Sequence, residues 1–313
     1  MTMVDATTVL DTIRRAVQDA PSAGTTTEDG FSGAALMGLL TALTATLCDA
    51  DHAYTEIGVY RGLTLATVAT HTDAPCVGID DFSLFNADAS NRPAVEARLA
   101  AAGCVNATLA DSDFEVALRG WADLGHGAAH IGVLFIDGPH DYRSQLMALL
   151  LGRPQMREHG VMVVDDANYA HVRQASYDFL AASPDWALVA EVMTPGHPDV
   201  VSVEQRAQAR AGWWNGVHVL QHDPSHTLPR LKGPATDLSM YVDSHDLFRH
   251  RFGPTALAAL EGLQRAATAQ RTAAADLLLA VLDAQVASAG DRAASQNTDT
   301  DTTSTLTVRL AGS

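Results

Sequence analysis

Between residues 53 and 222 the chain alternates short apolar runs with longer segments of helical period. The short runs, at 53–57, 76–79, 106–110, 131–136, 161–164, 187–192 and 217–221, are rich in Val, Ile, Leu and Ala and read as buried strands. Helical spacing of apolar side chains falls between them, at 63–70, 92–102, 114–123, 142–157 and 171–182. Strand and helix in alternation mean βαβ units and a mostly parallel sheet. The expected fold is therefore α/β: a Rossmann-like seven-stranded, mostly parallel sheet with helices on both faces. The stretch 195–216 is too short for a full crossover. It should hold a loop and a short helix before an antiparallel return strand.

The flanks follow a different pattern. Residues 5–19 place Val9, Leu10, Ile13 and Val17 on one helical face, and 34–48 read as a second, more buried helix. A polar loop, 22–30, joins them. Beyond Pro224 the strand pattern is lost. Residues 255–287 are helical in spacing, with Leu257, Leu260, Leu263, Leu277, Leu278 and Leu279. An amphipathic helix outside the core needs a surface to cover it, either its own domain or a second copy of the chain. The Thr/Asp/Ser-rich stretch 295–305 has the composition of a disordered tail.

Charge narrows the partners. The net charge is −17, Lys232 is the one lysine, and the arginines form no local patch. Such a chain repels nucleic acid. No apolar run is long enough for a membrane span, and the first residues lack a basic stretch followed by an apolar one. A cytoplasmic enzyme is expected. Cys48, Cys76 and Cys104 show no CxxC spacing, so neither a disulfide framework nor a cysteine zinc site is expected.

Four stretches carry candidate chemistry. In the first, Glu56-Ile-Gly58-Val-Tyr-Arg-Gly62, a strand ends on an acid and two glycines bracket the turn into a helix. Glycines let a ligand approach the backbone closely. The spacing is ExGxxxG, not the dinucleotide GxGxxG, and a carboxylate here suits a cationic ligand group. In the second, the next strand ends in Asp80-Asp81, where an acid accepts ribose hydroxyls. Asp80 holds the expected place and Asp81 is its close competitor. The third ends in Asp111-Ser112, just before a helix that Ser112 could simply cap.

The fourth is the most specific. Phe135-Ile-Asp137-Gly-Pro-His140 closes one strand, and Asp165-Asp166 closes the next. Adjacent parallel strands end at one crevice, so three carboxylates should meet there. Unpaired, that charge is costly; a hard divalent cation with oxygen ligands would offset it.

The glycine turn resembles the first motif of class I S-adenosylmethionine-dependent methyltransferases. The acidic stretches resemble those of the metal-dependent macrocin and mycinamicin sugar O-methyltransferases, and the cephalosporin-hydroxylase-like proteins. The likeness covers about residues 35–222. It implies that Glu56, Gly58, Gly62, Asp80, Asp81, Asp111, Ser112 and Asp137 surround S-adenosylmethionine, and that Asp137, Asp165 and Asp166 bind Mg²⁺. The metal would orient an acceptor hydroxyl and lower its pKa.

Some of these relatives carry an acidic residue two positions past the Asp137 equivalent. Here Pro139 stands there, which makes His140 the candidate base and puts sugar as the acceptor class in doubt. His140 could equally cap the next helix. Catalytic roles are therefore expected for His140 and Asp137. Trp213, Trp214, Asn168, Tyr169 and His171 are weaker candidates for the acceptor side.

The resulting division is 1–50, helices covering the cofactor site; 51–223, the S-adenosylmethionine-binding core; 224–290, a helical extension; and 291–313, a disordered tail. The expected reaction is O-methylation of a natural-product or sugar hydroxyl by a homo-oligomer, a dimer first. The alternatives are a metal-free N- or carboxyl-methyltransferase and a nicotinamide-dependent oxidoreductase.

Overall fold

The computed structural model describes residues 4–19, 30–124, 130–198, 201–233 and 306–312. They build one eight-stranded sheet in the order β3-β2-β1-β4-β5-β7-β6-β8. Five strands are parallel neighbours: β1 (His52–Ile57), β2 (Cys76–Asp80), β3 (Ala107–Asp111), β4 (His130–Ile136) and β5 (Met156–Val164). β7 (Val217–His222) runs antiparallel to β5 and to β6 (Trp186–Met193), as the short 195–216 stretch predicts.

The sheet is buried on both faces, which is why its strands read as continuous apolar runs rather than alternating ones. On one face, Tyr54, Val133, Phe135, Val161, Val163, Val217 and Val219 meet α1 (Ala6–Asp19), α2 (Ala34–Leu47), α3 (Leu63–Ala69) and α4 (Asn91–Ala102). On the other, Ile57, Ile79, Leu134, Ile136, Met162 and Val164 meet α5 (Phe114–Arg119), α6 (Trp121–Leu124), α7 (Tyr142–Gly152) and α8 (Ala170–Ala182). The pleat assigns alternate residues to the two cores.

Three local expectations need revision. The helix expected at 114–123 is split into α5 and α6 by Gly120. The helix expected at 142–157 ends at Gly152, because Pro154 lacks the amide that would continue it. β5 then starts at Met156 and bulges against β4 before Val161, with His159 at φ +61°.

The third concerns the tail. Part of the segment read as disordered is β8 (Thr307–Leu310), which pairs with β6 and makes the eighth strand. Arg309 donates to Glu191 Oε1 at 2.7 Å, and Arg14 donates to the Ala311 carbonyl at 2.7 Å. The predicted helix at 255–287 lies outside the described residues.

Glu191 is the hub of this end of the sheet. Its Oε2 accepts from Tyr177 at 2.8 Å and lies 3.0 Å from His218 Nε2. Burial alone would raise its pKa, but His218, Tyr177 and Arg309 bring it to about 2. A depressed carboxylate pKa stabilises the fold above the ordinary glutamate range and loses that contribution as pH falls toward 2. Glu191→Ala leaves the buried His218 and the half-buried Tyr177 without their partner and should cost about 2–4 kcal/mol by urea denaturation. Glu191→Gln should flatten the acid limb of the stability curve. An unchanged acid limb would show that this network holds nothing.

Candidate active site

β1, β2, β4 and β5 all point their C-terminal ends at one crevice of about 450 Å³. It opens where the chain order reverses between β1 and β4, the place where α/β sheets bind ligands. Its walls come from five segments: Gly30–Ser32 before α2, the β1–α3 turn, the loop after β2, the start of α5, and the ends of β4 and β5 with Trp214. Among the described residues before β1, only Gly30–Ser32 reach it; α1 and α2 pack on the sheet.

The glycine turn is shaped by close approach. Gly58 takes φ +86° and donates to the Ile79 carbonyl at 2.9 Å, with the backbone of Asp137 pressed against its α-carbon. Gly62, at φ +77°, starts α3 and lies against Val95, outside the crevice lining. Asp80 ties the turn down. Its Oδ2 accepts from the amides of Val59 and Tyr60, both at 2.8 Å, and its Oδ1 accepts from Phe82 at 2.7 Å. Asp81 lines the wall and accepts from the Ser83 amide at 3.0 Å.

Glu56 sits one step behind the turn, fully buried. Thr64 and Tyr54 donate to its two oxygens, each at 2.7 Å. Burial raises its pKa to about 8; the Thr64 and Tyr54 bonds lower it, and the Asp80 charge adds to the rise. A carboxyl raised in the folded state binds a proton that the unfolded chain has already lost. Stability should therefore decline as pH rises from about 4.5 through about 8. Glu56→Gln should remove most of that decline, on the order of 3 kcal/mol, in denaturation midpoints taken at pH 5 and pH 8.5. Identical slopes for both proteins would disprove it.

At the third strand the two candidates separate. Ser112 lines the crevice, while Asp111 is turned outward into an ion pair with Arg92. The cap of α5 is Asp113, whose Oδ1 accepts from Glu115 and Val116. Ser112 is thereby free of the capping role.

The acidic end is the densest part. Asp137, His140 and Asp166 each offer a ligand atom, all within 4.8 Å of one another. His140 Nε2 lies 2.9 Å from Asp166 Oδ2, and Asn215 donates to Asp166 Oδ1. Asp165 is turned from the crevice lining; its Oδ1 accepts the Asp166 amide at 2.8 Å, and its Oδ2 is buried without a partner. Burial, then the charges of Asp165 and Asp166, push Asp137 well above the usual carboxylate range. Burial and Asp166 do the same to Asp165. Burial works against Asp166 too, but His140 and Asn215 hold it below that range.

Asp166 takes φ +57°, a left-handed conformation that is costly for a residue with a Cβ. A lock from the β6–β7 connection holds it. Ala167 and Asn168 donate to the carbonyls of Gly216 and Asn215, both at 3.0 Å, and the Asn168 side chain exchanges bonds with Thr194. Asn168 is thus structural, and Trp213 is buried in the core. Tyr169 and Trp214 do face the crevice, while His171 stacks on Tyr169 outside the lining.

Phe31, Phe85 and His197 are site residues that no sequence pattern marks, whereas Tyr60 lies inside the glycine-turn motif and Asn215 inside the Trp213–Gly216 stretch. Asn215 lies 49 positions from Asp166, so only its Trp-Trp-Asn-Gly turn hints at a role.

A family model described as a methyltransferase domain matches residues 55–167. Among solved structures, the O-methyltransferase from Bacillus cereus in complex with S-adenosylhomocysteine is similar at 13% identity, covering 68% of this chain and 91% of that one, with a TM-score of 0.46. A putative O-methyltransferase from Klebsiella pneumoniae shares 18% identity over 68% and 90%, with a TM-score of 0.44. The O-methyltransferase TomG from Streptomyces achromogenes, in complex with S-adenosylmethionine, shares 17% over 68% and 90%, also with 0.44. No curated protein matches significantly. Residues 55–167 of the chain thus match a methyltransferase domain.

Proposed function

We propose that the enzyme methylates a hydroxyl oxygen of a small molecule, a natural product or a sugar, with a divalent cation such as Mg²⁺ at the acidic end of the crevice. The observation behind this reading is the convergence of Asp137, His140 and Asp166 within 4.8 Å at the ends of two neighbouring strands. The donor set suits a divalent cation: two carboxylates and an imidazole offer ligand atoms within 4.8 Å of one another. Asp137 and Asp166 would hold the ion, with Asp165 behind them contributing charge rather than a ligand atom in the crevice, and the ion would supply a lowered pKa for the acceptor hydroxyl.

S-Adenosylmethionine supplies an electrophilic methyl group. The chain's own part is to bind, align and deprotonate, since such a displacement needs little covalent help. Gly58 lets the β1–α3 turn close on the crevice, and Glu56, bonded to Thr64 and Tyr54, braces that turn from behind. Asp80 and Asp81 suit ribose hydroxyls, and Ser112 stands on the opposite wall. With Nε2 bonded to Asp166 Oδ2, His140 would take the acceptor's proton at Nδ1, which has no hydrogen-bond partner, and Asp166 would stabilise the imidazolium that results. A homodimer is part of the same reading and rests on the apolar helix pattern at 255–287.

One observation favours a metal-free variant: both oxygens of Asp166 already have partners, His140 and Asn215. Calorimetric titration with S-adenosylhomocysteine, with and without Mg²⁺, tests both readings. Micromolar binding supports methyl transfer. Mg²⁺ uptake by wild type but not by Asp165→Ala with Asp166→Ala supports the metal. Activity that survives EDTA would turn the reading to the metal-free form, and absence of any homocysteine binding would overturn methyl transfer.

A further inference from the structure

We infer that the acceptor is an uncharged molecule with a planar apolar body that lies on the rim of the crevice, and that phosphorylated or carboxylated acceptors are excluded; this rests on the methyl-transfer reading.

The rim is a connected aromatic surface built from distant parts of the chain. Phe31 stacks on Tyr60 at 4.7 Å and 24°, and its ring lies 6.3 Å from Phe85 and 6.1 Å from Trp214. These spacings are those of interacting aromatic pairs. Yet the surface is not covered: Phe31 is 46% exposed, Leu84 56% and Phe85 77%. They are the two exposed phenylalanines among the described residues, and both stand at this one opening. A contiguous exposed apolar patch rimming a crevice marks a ligand surface more often than chance exposure.

The rim also has a direction. Trp214, at one end of it, immediately precedes Asn215, which donates to Asp166. Phe31 and Trp214 line the same crevice as Asp137, His140 and Asp166, so a flat ring resting on them lies in one pocket with that set. That is where a hydroxyl must arrive to be deprotonated.

Charge decides the rest. Five aspartates line the crevice (Asp80, Asp81, Asp113, Asp137 and Asp166), and no lysine or arginine does so among the described residues. Arg210 lies over the Trp214 ring at 5.3 Å and is not part of the lining. An anionic group drawn in here would lose its water and meet like charge, with no lysine or arginine in the described lining to replace its solvation. An uncharged body suffers neither penalty and covers the exposed rings.

The test uses two probes with the same ring, 2-naphthol and 2-naphthyl phosphate. Each is titrated into the full chain saturated with S-adenosylhomocysteine, for wild type and for Leu84→Ser with Phe85→Ser. Both positions are exposed, so the double variant should keep its melting temperature. Naphthol is expected to bind, the phosphate at least tenfold more weakly. The double variant should lose about tenfold in naphthol affinity, corresponding to ~1.4 kcal/mol, and keep its S-adenosylhomocysteine affinity within about twofold. Equal or tighter binding of the phosphate, or naphthol affinity unaffected by the double variant, would overturn the inference. So would a variant that weakens S-adenosylhomocysteine as much as naphthol, since the rim would then serve the cofactor. Wild type that binds S-adenosylhomocysteine but not naphthol sinks the acceptor class alone. Failure to bind S-adenosylhomocysteine sinks methyl transfer itself.

Discussion

Gly58→Ala is expected to destabilise the protein by about 3–5 kcal/mol and to abolish binding of S-adenosylhomocysteine. Two effects combine. Gly58 has φ +86°, where an alanine costs about 1–2 kcal/mol. The added Cβ would also fall 2.0 Å from the Asp137 carbonyl oxygen, 2.5 Å from its carbon and 2.8 Å from the Gly138 nitrogen. All three are backbone atoms, so no side chain can swing away. Either the β1–α3 turn lifts or the β4 end moves, and with it Asp137 and the crevice wall. Clashes of this kind in a packed core belong to the large-effect class of substitutions. Gly103→Ala is the control: its φ is +69°, but nothing lies within 4 Å of the new Cβ. It should cost about 1 kcal/mol and leave binding intact. Urea denaturation and calorimetry read both. A Gly58→Ala protein as stable as the Gly103→Ala protein, with normal binding, would refute this account of the turn.

Asp165→Asn should have the opposite effect on stability and still damage the site. Without an ion, burial and mutual repulsion raise Asp137 and Asp165 well above the carboxylate range. Groups raised in this direction cost stability as pH climbs past their unfolded values near 4. Asparagine keeps an oxygen for the Asp166 amide, which now bonds Asp165 Oδ1 at 2.8 Å. It removes one of three neighbouring charges. The variant should gain roughly 1–3 kcal/mol at pH 8 over wild type in EDTA, little at pH 5, as expected where a site is strained for function. In millimolar Mg²⁺ the order should reverse, because wild type, with one more charge behind the Asp137–Asp166 pair, would gain more binding energy from the ion. Melting temperatures at the two pH values, with EDTA or Mg²⁺, decide it. A variant no more stable than wild type in EDTA, with the same Mg²⁺ response, would place Asp165 outside the site.

The readable parts of this chain share a physical property. β2, β4 and the second half of β5 are covered on both faces, so each leaves a continuous apolar run, while β1 stays legible through the acid and glycine turn at its end. A strand end is fixed by the next turn, which locates Gly58, Asp80, Asp137 and Asp165-Asp166 along the chain within a residue or two. The parallel arrangement then brings their carboxylates to one edge without further information. Even the antiparallel return of β7 follows from the shortness of 195–216.

Other features depend on partners that local pattern does not encode. Two consecutive aspartates look equivalent in the sequence. The fold gives Asp166 to the crevice and turns Asp165 from it, because Asn215 and the Gly216 turn hold Asp166 at positive φ. Asp111 looks like a crevice acid until Arg92 draws it outward. β8 reads as a solvated tail, yet Arg309 finds Glu191 118 positions away and Ala311 enters the core. Periodicity reports whether a segment has a buried side. It is silent on which distant segment does the burying, because that contact forms only when the rest of the chain has already closed its loops. Fold class, strand ends and acidic cluster were therefore decided by the sequence alone. The role of each aspartate, the eighth strand and the aromatic rim were decided by tertiary structure.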